Sequence, residues 1–393
     1  MLYSNCMNDL RSPQHEKESD EQSSTNSVIE SPTPAADAVA TPDRARYKAK
    51  WLIVAISVAI LILGAGGWIL ASSHKNPQPV AATPTPKPSA TPTPTPTTLP
   101  APLTGVLVTP ELAGRPITAA VIENHPDARP QSGLSQAGVV YEALAEGGIT
   151  RFLAFYGDQQ AGTIGPIRSV RTYFVDWTLE YDAPLAHAGG NADALDLIGP
   201  LGMKNMDGLG IGAPTFYRTN DRFAPHNLYS SGVLLDTLEA RLGFKTSTFT
   251  PSPRKKDEPG NATHPNIHID YSYSGYQVDY KYDSTTNDYA RFLANAPHID
   301  RTTGNQIHVK NIVVEYIPTS YGYTRINEQT VLMQTVGTGK AIVFRDGTAI
   351  VGTWNKASHK ARTELLDANG QAIPLDAGNT WYSIVPLDKT VGY

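Results

Sequence analysis

Cysteine is nearly absent from the chain, with Cys6 the only one in 393 residues. A single thiol excludes a disulfide framework, a cysteine-rich zinc fold and a two-cysteine redox motif. An excess of either charge is also missing, because 37 Asp+Glu stand against 32 Lys+Arg for a net charge of −5. That balance excludes a nucleic-acid-binding surface spread over the whole molecule. Nucleophile signatures are lacking too. The run Gly133-Leu134-Ser135-Gln136-Ala137 has no second glycine where a nucleophile elbow requires one. Gly337-Thr338-Gly339-Lys340 resembles the end of a phosphate loop, but Gln334 and Ala341 replace the required glycine and hydroxyl, so it reads as a turn. Pro265 argues against the helix that would bring His264 and His268 together as metal ligands. No metal and no cofactor is expected.

What is abundant is unevenly placed. Residues 51–71 read WLIVAISVAILILGAGGWILA without one charge. As a helix this run spans about 30 Å, the thickness of a bilayer core. Arg44, Arg46, Lys48 and Lys50 precede it and Lys75 follows, which predicts a cytoplasmic N-terminus and an extracytoplasmic bulk. Residues 1–50 are polar, with 8 acids against 6 bases, and are expected to be a disordered cytoplasmic tail. Residues 72–102 form a Thr/Pro-rich stalk holding ten of the 31 prolines. In extended polyproline II its residues 76–102 reach up to roughly 80 Å from the membrane. The lipid bilayer is therefore the first expected partner, through residues 51–71.

The remaining residues, 103–393, carry 24 Lys+Arg and 29 Asp+Glu and no cysteine. Their pattern predicts an α+β fold with a mixed first half, 103–250, and a β-rich second half, 251–393. In the first half, 117–122 reads as a strand. Strands 139–145 and 149–156 flank a turn at Glu146-Gly147-Gly148. Helices are expected at 173–181, 192–201 and 230–242, the last stopped by Gly243, with a strand at 184–188. The breaker-rich stretch 251–263 is the expected domain boundary. In the second half a two-residue turn at Ser274-Gly275 would pair Tyr271 with Val278 and Ile269 with Tyr280. Asp346-Gly347 and Asn369-Gly370 are two further hairpin signals.

Several ordered stretches resemble the YerB-like family of bacterial proteins, a two-part domain of unknown function. They include NHPDARPQSGLSQAGVVYEALAEGGITRFLAFY (124–156), IGPIRSVRTYF (164–174), HAGG (187–190) and HNLY (226–229). In the second half they are PHIDRTTGNQIHVKNIVV (297–314), GTGKAIVFRDGTAIVGTW (337–354) and GNTWYSIVP (378–386). The resemblance implies a membrane-tethered, extracytoplasmic protein and supplies no reaction. Members that are lipoproteins use a lipid-modified cysteine. This chain departs from them with its apolar run and its stalk.

Candidate chemistry concentrates in the first half. Arg168 and Arg171 precede a predicted helix and Arg151 follows the Gly-Gly turn, a plausible anion site. The structural alternative pairs Arg168 and Arg171 with Glu142, Glu180 or Asp176. Glu142 and Glu146 suggest a glycosidase pair, but on a strand they lie about 13 Å apart, too far for either mechanism. Glu123 is an alternative partner for Glu142 across a sheet. His187, Asp193 and His226 are candidates to meet at a strand–turn–helix corner as a metal or acid–base set. His298 to Gly304 reads as a polar loop capping a hairpin. Tyr271, Tyr273, Tyr276 and Tyr280, if exposed, would form a stacking surface for sugar rings. The leading expectation is a binding module for an anionic or glycan component of the cell envelope, with no nucleic-acid partner. The rival is a cell-wall hydrolase or transferase working through Glu123, Glu142, His187 or Asp193.

Overall fold

The segment Val139–Leu144 reads VVYEAL and has no exposed residue on either side. A strand buried on both faces must lie inside a sheet covered twice, and this one does. The computed structural model describes residues 98–259 and 262–393. The expected tail (1–50), membrane helix (51–71) and stalk as far as residue 97 lie outside the described residues. Among the described residues no helix is long and apolar enough to cross a membrane.

Numbered along the chain, the first half contributes β1 (Thr118–Glu123), β2 (Val139–Leu144), β3 (Thr150–Tyr156), α1 (Thr172–Leu179), β4 (Leu185–His187), α2 (Ala192–Ile198), β5 (Asn205–Asp207) and α3 (Gly232–Leu242). The second half contributes β6 (Asn266–Asp270), β7 (Gln277–Asp283), β8 (Asp288–Leu293), β9 (Asn311–Ile317), β10 (Thr319–Tyr323) and β11 (Gln329–Met333). It ends with β12 (Gly337–Arg345), β13 (Thr348–Lys356), β14 (Glu364–Leu366) and β15 (Thr380–Pro386). The result is an α+β protein dominated by sheet. The central sheet has ten strands in the order β14-β13-β12-β9-β15-β2-β3-β1-β4-β5. Both halves of the chain contribute to it: β15 pairs in parallel with β2, Thr380 opposite Val139 and Ser383 opposite Glu142.

Period-two alternation sorts the two cores. Val140, Phe152, Ile312, Ile342 and Trp381 face a second sheet built on β6, β7 and β8, whose Ile269, Val278 and Tyr280 complete that layer. Tyr141, Leu153, Val313, Val343 and Tyr382 face the other way, toward α1. There Tyr141 stacks between Trp177 at 5.1 Å and Tyr382 at 4.4 Å. Each such aromatic pair contributes about 0.5–1.5 kcal/mol beyond its area burial. The helices follow local rules. Asn191 caps α2 by accepting from Ala194 N, Ser231 caps α3 by accepting from Leu234 N, and Gly243 ends α3 at φ 80°.

Three turn expectations have different outcomes. Asp346 and Gly347 both have positive φ, and Arg345 pairs with Thr348, so that hairpin has the expected two-residue turn. Residues 274–276 instead form a short 3₁₀ turn, which shifts the register by two and sets Ile269 opposite Val278. The Asn369-Gly370 turn is longer than two residues, with a bridge between Leu366 and Ala372.

Between the two sheets lies a closed ring of six buried polar side chains. Arg291 of β8 donates to Glu142 of β2 and to His298 Nδ1. His298 Nε2 contacts Gln131 Oε1 at 2.9 Å, and Gln131 donates to Asn124 Oδ1 at 2.8 Å. Asn124 donates to Thr150 Oγ1 at 2.6 Å, whose hydroxyl donates to Glu142 Oε1 at 2.8 Å. Burial and the Arg291 and Arg129 charges push the His298 imidazole well below its ordinary value, so it is neutral. A neutral ring accepting at Nδ1 and donating at Nε2 is the tautomer this circuit requires. The loop after His298 does cap a hairpin, with Ile299 bridged to Gln306 and residues 301–305 exposed, while His298 itself is buried in the ring. Asp300 is also buried and accepts from Gly133 N at 3.3 Å, Ser135 N at 2.8 Å and Thr302 N at 2.8 Å.

Removing one partner of a buried pair leaves the other charge uncompensated. Glu142→Gln is expected to lower unfolding free energy by about 3–5 kcal/mol. Urea unfolding followed by tryptophan fluorescence checks this, since Trp381 lies 4.3 Å from the Arg291 guanidinium. A second expectation concerns pH. Burial, with the nearby Glu180 charge, pushes the Glu315 carboxyl up to about 8 against an opposing Lys356. A raised folded-state value means the folded protein holds the proton more tightly, so this contribution is complete below the ordinary value of 4.5 and lost as pH passes about 8. Thermal stability of Glu315→Gln should therefore exceed that of the parent at pH 8.5 and converge on it toward pH 5.

Candidate functional site

β1 ends at Glu123 and the chain leaves the sheet through Asn124 and His125. Glu123 is buried, with Oε1 3.0 Å from Arg168 Nε and Oε2 3.0 Å from His226 Nδ1. Close as they are, Glu123 Oε2, Arg168 Nε and His226 Nδ1 are buried atoms without an aligned hydrogen-bond partner. The rings of His125 and His226 stack at 4.7 Å. His125 Nδ1 accepts from Asp127 N at 3.2 Å and lies 3.5 Å from Asp127 Oδ2. His125, Asp127 and His226 hold their donor atoms within 4.8 Å of one another.

Three arginines hold these loops. Arg222 donates to the carbonyls of Ala128 at 2.8 Å and Pro130 at 2.9 Å and to the Tyr229 hydroxyl at 2.7 Å. It thereby ties the loop bearing His125 to the loop bearing His226. Arg129 donates to Asn124 and lies over the Tyr276 ring at 4.8 Å. Arg301 pairs with Asp221 at 2.7 Å. The His125 loop is also anchored from below, because Asn124 belongs to the buried ring.

The remaining sequence candidates are placed differently. Glu123 and Glu142 do not meet: Glu123 is opposite Arg151 on β3, whereas Glu142 is opposite Phe152, so the two alternate to opposite faces. Glu142 is fully buried and committed to Arg291 and Thr150. His187 is held at both ring nitrogens, by Gly189 O at 2.8 Å and Asn205 Oδ1 at 2.7 Å. Asp193 accepts from Arg325 N at 3.0 Å. His187, Asp193 and His226 are thus committed to three separate environments and form no common set.

The arginines are paired, though with other partners than expected. Arg171 clamps Glu146 with Nε to Oε1 at 2.7 Å and Nη2 to Oε2 at 2.5 Å. Burial pushes the Glu146 carboxyl up, but Arg171 outweighs it and holds it below its ordinary value. Arg151 donates to Ser169 O at 2.7 Å, and burial with the neighbouring Arg171 charge lowers its guanidinium to about 10. Arg168 faces Glu123. The three do not converge on one open anion cradle.

Of the expected tyrosine row, Tyr271, Tyr276 and Tyr280 are buried, because the sheet face that carries them packs on the ten-stranded sheet. Only Tyr273 of that row is half exposed. The exposed tyrosines that matter lie elsewhere, on β10. Tyr321 is 71% and Tyr323 62% exposed, two positions apart and so on one face. Val331, opposite Tyr321, is buried and ties the β10–β11 hairpin to the body. Asn191 donates to Thr330 Oγ1 at 2.9 Å and Ala192 N donates to Glu328 at 3.2 Å, which pins the hairpin to the start of α2. A cleft of about 400 Å³ lies between Tyr321, Tyr323 and Gln329 on one side and Glu146 and Gly147 on the other. A second, of about 470 Å³, runs from Tyr321 to Ser272, Leu387, Asp388 and Lys389. A larger cleft of about 700 Å³ lies along Thr248–Pro253 and Ala361–Leu366, over the buried Glu180–Arg362 pair.

Reading the sequence passed over His125 with Asp127, and Tyr321 with Tyr323. The signals were present: His-x-Asp directly after the 117–122 strand, and Tyr-Gly-Tyr in a short run between Pro318 and Asn327-Glu328.

These features define a class: an α+β protein whose ten-stranded sheet is covered by helices on one face and a smaller sheet on the other. The chain belongs to the DUF3048 family of proteins of unknown function, whose N-terminal domain matches residues 103–246 and whose C-terminal domain matches 267–382. It is 32% identical over 293 residues to a Bacillus subtilis (strain 168) protein named "Putative lipoprotein YerB", covering 73% of this chain and 86% of that protein. The crystal structure of YerB from Bacillus subtilis superposes with a TM-score of 0.68 at 32% identity, covering 75% of this chain and all of that one.

Arg222→Ala should leave the two histidine loops intact in fold but untied. Hydrogen exchange is expected to rise in 126–130 and 219–229 and to remain unchanged in β2 and β3, as mass spectrometry of the full chain would read.

Proposed function

We propose that this protein is tethered to the cell membrane through residues 51–71, carries its folded part outside the cell, and binds a glycan of the envelope along the face of Tyr321 and Tyr323. The tether reading rests on the 21-residue uncharged run at 51–71 and its flanking cations. A relative named as a lipoprotein agrees with an extracytoplasmic, membrane-held protein. Cys6 lies ahead of the apolar run rather than directly after it, which favours a helix over a lipid-modified cysteine here.

The observation that carries the binding reading is the pair of exposed tyrosines on one strand face. Aromatic rings with a polar tip are costly to leave in water and suit ligands that are apolar on a face and hydroxyl-rich at the edge. Sugar rings have that character. The clefts on either side supply polar partners at their rims, Gln329 and Glu146 in one, Asp388 and Lys389 in the other. A purely anionic polymer fits less well. Arg151, Arg168 and Arg171 are each engaged internally, and the folded part carries five more acids than bases.

Full-length protein in detergent should sediment with purified cell-wall glycan and bind soluble wall-glycan fragments. Each of Tyr321→Ala and Tyr323→Ala should weaken that binding by roughly 3- to 10-fold, from the worth of an aromatic contact. Arg168→Gln should leave it unchanged. Absence of glycan binding by the parent, or equal binding by the double tyrosine variant, would sink the reading.

A further inference from the structure

We propose that His125, Asp127 and His226 form a site for one divalent transition-metal ion, of the zinc class. The inference stands apart from the tyrosine clefts and does not depend on them.

Three observations carry it. First, the donor atoms of the three side chains gather within 4.8 Å of one another although the residues come from loops a hundred positions apart. Neighbouring ligand atoms on a tetrahedral ion with bonds of about 2.0–2.1 Å sit roughly 3.3–3.4 Å apart. The 3.5 Å between His125 Nδ1 and Asp127 Oδ2 is already close to that. Second, His125 Nδ1 accepts from Asp127 N at 3.2 Å, a long bond that leaves this nitrogen unprotonated, and an arriving ion takes over the lone pair that the Asp127 N–H now holds. Third, Glu123 is a buried carboxylate with one oxygen lacking any hydrogen bond, 3.0 Å from His226 Nδ1, which is itself without a partner. A carboxylate behind a histidine is the arrangement that orients a metal-bound imidazole, drawing the proton to Nδ1 and leaving Nε2 to the ion. Arg168, with Nε 3.0 Å from Glu123 Oε1, holds that carboxylate in place.

The chemistry of the donor set narrows the ion. Two imidazoles and one carboxylate suit zinc, manganese, nickel or iron(II), whereas calcium and magnesium prefer all-oxygen shells. Three protein ligands leave a position for water or for an oxygen of a bound ligand. Asp127 is the most exposed of the three, at 72% of its side chain, so it is the ligand with room to close on an arriving ion. The supports are already rigid. Arg222 joins the two loops, and Asn124 fixes the residue next to His125 within the buried ring.

Chelator-treated full-length protein, titrated with Zn²⁺ in a calorimeter and then dialysed for elemental analysis, should hold one ion per chain and melt at a higher temperature with it. His125→Ala and His226→Ala should each weaken binding by at least about 100-fold, and Glu123→Gln by about 10- to 100-fold. Asp127→Asn, at an exposed position, keeps the test open if a histidine variant fails to fold. His268→Ala, far from the cluster, should bind as the parent does. Failure of the parent to bind one ion saturably overturns the proposal. So does binding that Asp127→Asn and the histidine variants leave intact, or binding that only His268→Ala abolishes.

Discussion

A guanidinium taken out of water between two sheets imposes its own conditions on everything around it. Arg291 is fully buried, and an uncompensated charge there would cost several kcal/mol. Glu142 supplies the countercharge from a strand 149 positions away. The leftover donors and acceptors of that pair then require partners of their own, because each unpaired buried polar group costs about 1–3 kcal/mol. His298, Gln131, Asn124 and Thr150 meet that demand and close the circuit. The two halves of the chain are joined by more than apolar contact. Gln131 and Asn124 bring the loop that follows β1 down onto the ring, and this decides where His125 stands.

That loop connects folding to the site. Sequence neighbours Glu123, Asn124 and His125 have three different tasks: Glu123 faces Arg168 and His226, Asn124 enters the ring, and His125 stacks on His226. A substitution at Asn124 would disturb both stability and the histidine pair. Arg222 works from the opposite side by bonding to the carbonyls of Ala128 and Pro130. The site is positioned by backbone-directed arginines and a buried amide, not by regular secondary structure.

How much of this was legible in the sequence depends on range. Asp346-Gly347 encodes its turn in two residues, and the hairpin follows from local chemistry alone. The strands at 117–122 and 139–145 and the helix ended by Gly243 were equally local. The register of β6 and β7 was not, because Ser274–Tyr276 adopts a 3₁₀ turn whose length sets which residues pair across the hairpin. A shift of two keeps each side chain on its face, so what the sequence hid was that this face packs on the ten-stranded sheet. Glu142 was visible as a carboxylate on a strand, and its distance from Glu146 was enough to reject that pair as catalytic. Its partner Arg291 was not visible, since nothing in either stretch specifies a contact across half the chain. His226 was singled out without its neighbour His125, for the same reason.

The polar accounting also separates functional candidates from structural ones. His187 has both nitrogens occupied, Asp193 serves the Arg325 backbone, Glu142 is shut in the ring, and Arg171 is clamped on Glu146. A side chain whose hydrogen-bonding capacity is spent on the fold has little left for a ligand, whatever its reputation as a catalytic residue type. Unspent capacity marks the places where a ligand would add something. Among the described residues it coincides with close donor atoms around Glu123 and His226, and apolar exposure without a covering partner is pronounced at Tyr321 and Tyr323. The first calls for a charge between electron-pair donors, the second for a flat surface against a ring. Two unsatisfied regions with such different needs are best met by two different ligands.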